Sequence, residues 1–336
     1  MLAPDPPPGS LPLPGLVWGF RIAPDGRAEE IDAEAPVDAG GDDGFLWLHF
    51  NLADTRCNAF LKTLAFPPEA VEALVGPDTH QQLQAETGCV YGVIADLSRT
   101  FEGVTDDIAL LHFAMTDRLL VSARRRPLNA VDAVRWTLRR GQKVSSTAAL
   151  LELIVDQVAA AIDRLADDIA LHMDRIEERI LDGGRSDDRQ SLGVFRRTTV
   201  RLHRQLTGLR VLFHRLEAQE PDELGPALAL DSARLSQRLD GLDQEIEALR
   251  ERARMLQDEI SGQVAEETNR NLRVLSIVTI LFLPPTLIAG FFGMNLPGMP
   301  YAENHAGFWD GVVVALLSSA AVYGLLRWLG LTGGRG

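Results

Sequence analysis

The chain has 336 residues, of which 24% are charged, yet its mean hydropathy is close to zero, so its apolar residues must be concentrated. A formal net charge of −14 excludes a general nucleic-acid binder and suits a protein that gathers cations. Cys57 and Cys89 stand alone, without a Cys-x-x-Cys or a Cys/His cluster at metal-ligand spacing, and read as two reduced thiols in a cytoplasmic domain.

In chain order, residues 1–15 form a proline-rich tail that reads as disordered. It lacks the basic start and apolar core of a secretory signal. Residues 16–145 read as an α/β domain, in the layered sense of an α/β/α sandwich within an overall α+β chain. Strands are expected at Leu16–Ile22, Phe45–Phe50 and Cys89–Leu97, and a hairpin joins Ile108–Met115 to Leu119–Arg124 through Thr116-Asp117-Arg118. Helices are expected at Pro68–Val75 and Leu128–Arg139.

From about Ser146 the pattern turns helical and stays so. Leu150, Leu151, Ile154, Val158, Ile162, Leu165, Ile169 and Ile176 share one helical face. Asp182-Gly183-Gly184 breaks that helix. A second carries Leu192, Phe195, Thr199, Leu202, Leu206, Leu209 and Phe213 in steps of three and four, which makes residues 146–220 an antiparallel hairpin ended by Glu220-Pro221 to Gly225-Pro226. The arginines of this second helix surround its apolar face and are expected to pair with acidic neighbours.

The third helix repeats Leu235, Leu239, Leu242, Ile246, Leu249, Ala253, Leu256 and Ile260 in alternating steps of four and three, a coiled-coil seam. Only Gly262 weakens the path from this seam to the apolar run at Val274. Residues 230–292 therefore read as one long helix, a stalk entering a bilayer.

Val274 to Phe292 carries no charge and is long enough to cross a hydrocarbon core, which needs about 20 residues. A second span occupies 308–331. The loop between the spans has no Lys or Arg, whereas Arg270 and Arg273 precede the first and Arg327 and Arg335 close the second. Both termini are therefore expected inside, with residues 293–307 outside. Pro284-Pro285 lies within the first span, where each proline deletes a helical hydrogen bond.

The first span ends on Gly293-Met294-Asn295, and it opens with Glu267-Thr268-Asn269-Arg270-Asn271-Leu272-Arg273 and continues through Leu283-Pro284-Pro285-Thr286-Leu287-Ile288-Ala289-Gly290. With a second span close behind, this resembles the CorA family of two-transmembrane GMN-type divalent-cation transporters, tightly over residues 266–295 and more loosely elsewhere. The resemblance implies a funnel-shaped homopentamer in an inner membrane, its first spans lining a central pore. It makes Gly293, Met294 and Asn295 the outer selectivity filter. It also makes Asn269, Leu272, Leu275, Ser276, Thr279, Leu283 and Thr286 pore-lining, and the three-and-four stepping of 269, 272, 276, 279, 283 and 286 agrees. A ring of Asn295 carbonyls can hold a divalent ion through its water shell, and the leucines can gate by dewetting. The threonines and Ser276 have a second reading, hydrogen bonding back to their own helix.

After the motif stands Leu296-Pro297-Gly298-Met299-Pro300, and with Trp47-Leu48-His49-Phe50 this is similar to the ZntB branch, associated with zinc and with proton coupling. The spans hold no Cys, His or carboxylate, so the ion passes hydrated, and Glu303 and His305 of the outer loop are candidates to recruit it. The remaining histidines (His49, His80, His112, His172, His203 and His214) read mainly as surface or satisfied core residues, with one or two touching a metal as the alternative. The acidic pairs Asp42-Asp43 and Asp106-Asp107 read mainly as solvated turns, with a regulatory cation site between subunits as the alternative. No cofactor is expected beyond the transported cation, Zn2+ or Mg2+. No phosphate loop, nucleophile elbow or supported carboxylate pair points to an enzyme. Two alternatives stand beside a zinc transporter: a Mg2+/Co2+ channel, and a membrane-anchored coiled-coil adaptor.

Overall fold

The computed structural model describes residues 13–31, 44–77, 80–86, 88–100, 103–181, 188–218, 228–294 and 307–329. Asp42-Asp43, Asp182-Gly183-Gly184, Glu220 to Pro226, and Asn295 with Glu303 and His305 lie outside the described residues, as does most of the N-terminal tail. Two compact units divide the chain, Met1–Leu256 and Gln257–Gly336.

The first unit is built on a seven-stranded sheet of order β2-β1-β3-β7-β6-β5-β4. Its strands are β1 (Leu16–Ile22), β2 (Ala28–Ile31), β3 (Phe45–Asn51), β4 (Gln82–Glu86), β5 (Cys89–Thr100), β6 (Gly103–Met115) and β7 (Leu119–Arg124). All neighbours pair antiparallel except β3 and β7, which run parallel at the centre. β3 reads Phe-Leu-Trp-Leu-His-Phe-Asn and is buried at its first six positions, because helices cover both faces of the sheet. On one face, α1 (Thr55–Leu61) and α2 (Pro68–Val75) close over Leu48, Phe50, Cys57, Leu61, Leu74, Tyr91 and Val121. On the other lie α3 (Asn129–Arg139) and α4 (Thr147–Leu181), both packed against β5.

Three elements were not expected: β2, β4 and α1. Both strands are sheet edges with polar sequences, Ala-Glu-Glu-Ile and Gln-Leu-Gln-Ala-Glu, so no apolar run marks them. The β1–β2 hairpin turns at Gly26, whose φ of 83° suits glycine, and Gly26 N–H donates to Ala23 O. α1 is short, and its signal is local: the Asp54 carboxylate accepts from Arg56 N–H as the N-cap. The expected strands and the hairpin through Thr116 to Arg118 are present, with β5 and β6 longer than expected.

α4, α5 (Asp188–Glu217) and α6 (Ser232–Phe292) carry the helical part. Leu235, Leu239, Leu242, Ile246, Leu249, Ala253 and Leu256 are all buried, so the heptad seam is a packed one. Each leucine removed from water stabilises the unit by roughly 1.5–3 kcal/mol. Ion pairs set the register. Arg234 pairs with Glu152 and Asp156, and Arg252 with Asp174 and Glu177, so α6 runs parallel to α4. Arg210 reaches Asp240 and Asp243, and His203 reaches Asp243, so α6 runs antiparallel to α5. Asp106 and Asp107 are held by Arg201 at 3.1 Å each, and Asp106 also accepts from Thr198 Oγ at 2.7 Å. Those pairs are the acidic partners expected for the α5 arginines.

Asp96 of β5 supplies the cap that Leu128 cannot give α3. Its Oδ2 accepts from Ala130 N–H at 2.7 Å and its Oδ1 from Leu97 N–H at 2.7 Å. Burial pushes this carboxyl up to about 7, opposed by the backbone N–H groups of Ala130, Leu97 and Asn129, which favour the ionised form. A carboxyl whose pKa rises on folding holds its proton more tightly in the native state. Its contribution is full below the ordinary aspartate value of 3.8, is lost as pH rises toward about 7 and is constant above. Replacing Asp96→Asn removes that titration. In melts across a pH series, the wild-type stability minus the variant's should fall between those two values and then level off; a flat or rising difference would refute the assignment.

Candidate functional site

The second unit contains the apolar end of α6 and all of α7 (Gly307–Trp328). Both are long and apolar enough to cross a membrane, and their most apolar stretches are almost wholly unburied, unlike the core helix of a soluble protein. Helix α6 passes through Pro284 and Pro285 without ending.

Two faces of α6 differ. Ile277, Leu281, Pro284, Pro285 and Ile288 are half-buried, at helical spacing. On α7 the half-buried or buried positions Val312, Ala315, Ser318, Ser319, Val322 and Leu326 also share one face. A hydrogen bond from Ser319 to the Leu281 carbonyl joins the two faces. At 3.6 residues per turn, Leu272, Ser276, Thr279, Leu283 and Thr286 lie roughly 160° round α6 from this contact. These five, with Asn269 and Leu275, are all exposed. The described positions read from sequence as pore-lining therefore occupy the side of α6 turned away from α7.

That side holds one open, mostly apolar groove, lined by Thr279, Phe282, Leu283, Thr286, Leu287, Gly290, Phe291 and Met294. Gly290 and Met294 continue the strip toward the end of the helix, and the three-and-four stepping would have found Gly290. Both threonine hydroxyls bond back to the helix, Thr279 Oγ to Leu275 O at 2.8 Å and Thr286 Oγ to Phe282 O at 2.7 Å. Each oxygen keeps its lone pairs for a water on the groove side. At the helix end, Gly293 N–H donates to Ala289 O at 2.9 Å. A Cβ at Gly293 would stand 3.1 Å from that carbonyl, so glycine serves close approach there and not a left-handed φ. Asn295, Glu303 and His305 lie outside the described residues.

In the first unit the histidines are engaged within the fold. Trp47 Nε1 donates to Ser122 Oγ at 2.9 Å, and His49 Nδ1 lies 2.9 Å from the same oxygen. Arg124 Nε donates to His49 Nε2 at 3.1 Å, which makes that nitrogen the acceptor and leaves Nδ1–H to donate to Ser122. Burial, then the charges of Arg124 and Arg135, hold His49 well below its ordinary pKa, so it is neutral. Trp18 stacks on its ring at 4.8 Å. The Trp47-Leu48-His49-Phe50 segment is thus a sealed core network with no nitrogen left for a metal. His112 donates from Nδ1 to Ala73 O at 2.7 Å, and His172 to Asp168 O at 2.7 Å. Among the described residues no group of three or more His, Cys, Asp or Glu is arranged to hold a metal ion.

A family model described as CorA-like Mg2+ transporter protein matches residues 42–329. The zinc transport protein ZntB of Pectobacterium atrosepticum is 25% identical over 313 residues, 92% of this chain and 90% of that relative. The divalent cation transporter CmaX of Pseudomonas aeruginosa is 28% identical over 327 residues, covering 94% and 97%. The structure of the full-length CmaX protein matches with a TM-score of 0.77 at 25% identity, over 94% of this chain and 98% of that one. The family match takes in five of the seven strands, the long helices and both apolar helices: the chain belongs to the CorA family, whose members are transporters and not enzymes.

Proposed function

We propose that the chain is one subunit of a membrane transporter that moves hydrated divalent cations, Zn2+ foremost, along the open face of α6. The observation that carries this is the division of α6 into two faces. One is packed against α7, and the other presents Thr279, Leu283 and Thr286 in a groove away from it. A two-helix lipid anchor would also have a packed and an open face, but it needs no hydroxyl side chains such as Thr279 and Thr286 on the open one. An oligomer, of five subunits by the family resemblance, would bring these grooves together around an axis with α7 outside.

In this reading both termini lie inside, and Asn295 rings the outer mouth. Its amide oxygens meet the ion through water, since Mg2+ dehydrates reluctantly. Leu272, Leu275 and Leu283 form apolar constrictions below. The name of the Pectobacterium relative supports zinc, while a Mg2+/Co2+ channel is the second reading, supported by the description of the family model.

Reconstituted in liposomes, the protein should conduct Zn2+ faster than Mg2+ and faster still with an inward proton gradient. Asn295→Ala should lower the flux by tenfold or more, on the order of the ~1.4 kcal/mol that a tenfold change represents. Magnesium flux indifferent to the gradient would favour the second reading. No flux of either ion would leave the membrane-anchored coiled-coil adaptor.

The face assignment has its own check, and the native cysteines leave it clean. Cys57 and Cys89 are buried, and burial first pushes both thiols up to about 11, so neither is reactive near neutral pH. Thr286→Cys should lose most of its flux after treatment with a cationic methanethiosulfonate. Ile288→Cys, on the α7 side, should keep its flux under the same treatment. Equal inhibition of the two would reject the pore face.

A further inference from the structure

Pro284 and Pro285 each lack an N–H, so the carbonyls four residues earlier, of Ile280 and Leu281, lose their helical partners. In hydrocarbon no water replaces them, and each unsatisfied group is costly. The Leu281 carbonyl lies on the half-buried face of α6, and there Ser319 Oγ of α7 donates to it at 3.5 Å. The contact is long, but Pro285 removes the competing backbone donor. The neighbouring serine behaves differently: Ser318 Oγ bonds back to Ala315 O of its own helix at 2.7 Å. A serine in a membrane helix has that internal option, and Ser319 takes the carbonyl across the interface.

We propose that Ser319 is a positioning residue for transport, which replaces the donor removed by Pro285 and so latches α7 to the back of α6 at the level of the pore-facing Leu283 and Thr286. Small residues and hydroxyl donors are the usual means of holding membrane helices together. Through this latch α7 fixes the backbone from which the pore face is presented, although it contributes no side chain to that face. The inference rests on the proposed ion pathway along α6.

The test is a double-mutant cycle on the full-length protein in liposomes, read as Zn2+ flux. Ser319→Ala alone should lower flux about threefold, the factor that an interhelical hydrogen bond of ~0.6 kcal/mol represents. Ser319→Thr, which keeps the hydroxyl, should retain most of it. With Pro285→Ala, the backbone N–H returns to Leu281 O, and adding Ser319→Ala to that background should change flux less than twofold. An equal loss in both backgrounds, or no loss in either, overturns the latch. Melting temperatures of the four proteins in detergent give the same cycle should Pro285→Ala itself block transport. A wild-type protein without flux would instead refute the pathway, while the melting cycle would still judge the hydrogen bond.

Discussion

The second unit is governed by one constraint: a backbone donor or acceptor inside hydrocarbon must find its partner within the protein. An uninterrupted helix meets it automatically, and α6 does so over most of its apolar length. Pro284-Pro285 breaks that self-sufficiency in the middle of the span. The consequence is directional. The freed Leu281 carbonyl points to the side where Ser319 of α7 reaches it. Thr279 and Thr286 meanwhile donate their hydroxyl protons inward to their own helix, so only oxygen lone pairs face the groove. Such a surface suits the hydrogen atoms of water around a cation better than an anion.

The first unit solves a different problem, that of arranging charge. The chain carries a formal net charge of −14, yet α5 is rich in arginine. Two of these arginines tie α5 to α6 and to the β6 strand, Arg210 through Asp240 and Asp243 and Arg201 through Asp106 and Asp107. Half-exposed pairs of this kind contribute about 0–1 kcal/mol each. The apolar seam from Leu235 to Leu256 supplies the stability, and the pairs choose which helix meets which and in what direction. Gln81 adds a tie of the same kind. Its amide nitrogen donates to Gln205 O of α5 at 3.0 Å, and its oxygen accepts from Ala95 N–H of β5 at 3.1 Å. Gly208 makes room for it, since a Cβ there would stand 2.5 Å from that amide nitrogen.

Most of the fold was legible because its signals are local. The apolar runs of β3 and β7, the seam of α6 and the uncharged run from Val274 to Phe292 each announce themselves within their own segment. β2 and β4 were not, because an edge strand is defined by the neighbour it pairs with and not by its own apolar content. The candidate site divides in the same way. The stepping of 272, 276, 279, 283 and 286 marks a face, and the helix geometry then places that face away from α7. The partner of the Leu281 carbonyl could not be read, since Ser318 and Ser319 are alike in sequence and differ only in which carbonyl each hydroxyl reaches. The setting of His49 could not be read either. Its partners Ser122 and Arg124 are remote in sequence, and only the parallel β3–β7 pairing brings them to it.

The chemistry of the α6 face also limits where ion choice can be made. Zinc is distinguished from magnesium chiefly by nitrogen and sulfur ligands, which magnesium avoids. From Val274 to Gly293 the chain offers no such side chain, only hydroxyl and backbone oxygen and apolar surface. On the proposed pathway a hydrated ion would be sorted there by charge and by the size of its water shell, properties that divalent ions largely share. The zinc preference proposed for the chain would then arise where the ion is gathered or coupled, and not along the described face of α6. Relatives named for zinc and for divalent cations in general are compatible with such a pathway, since the proposed α6 surface would serve any divalent ion that keeps its water.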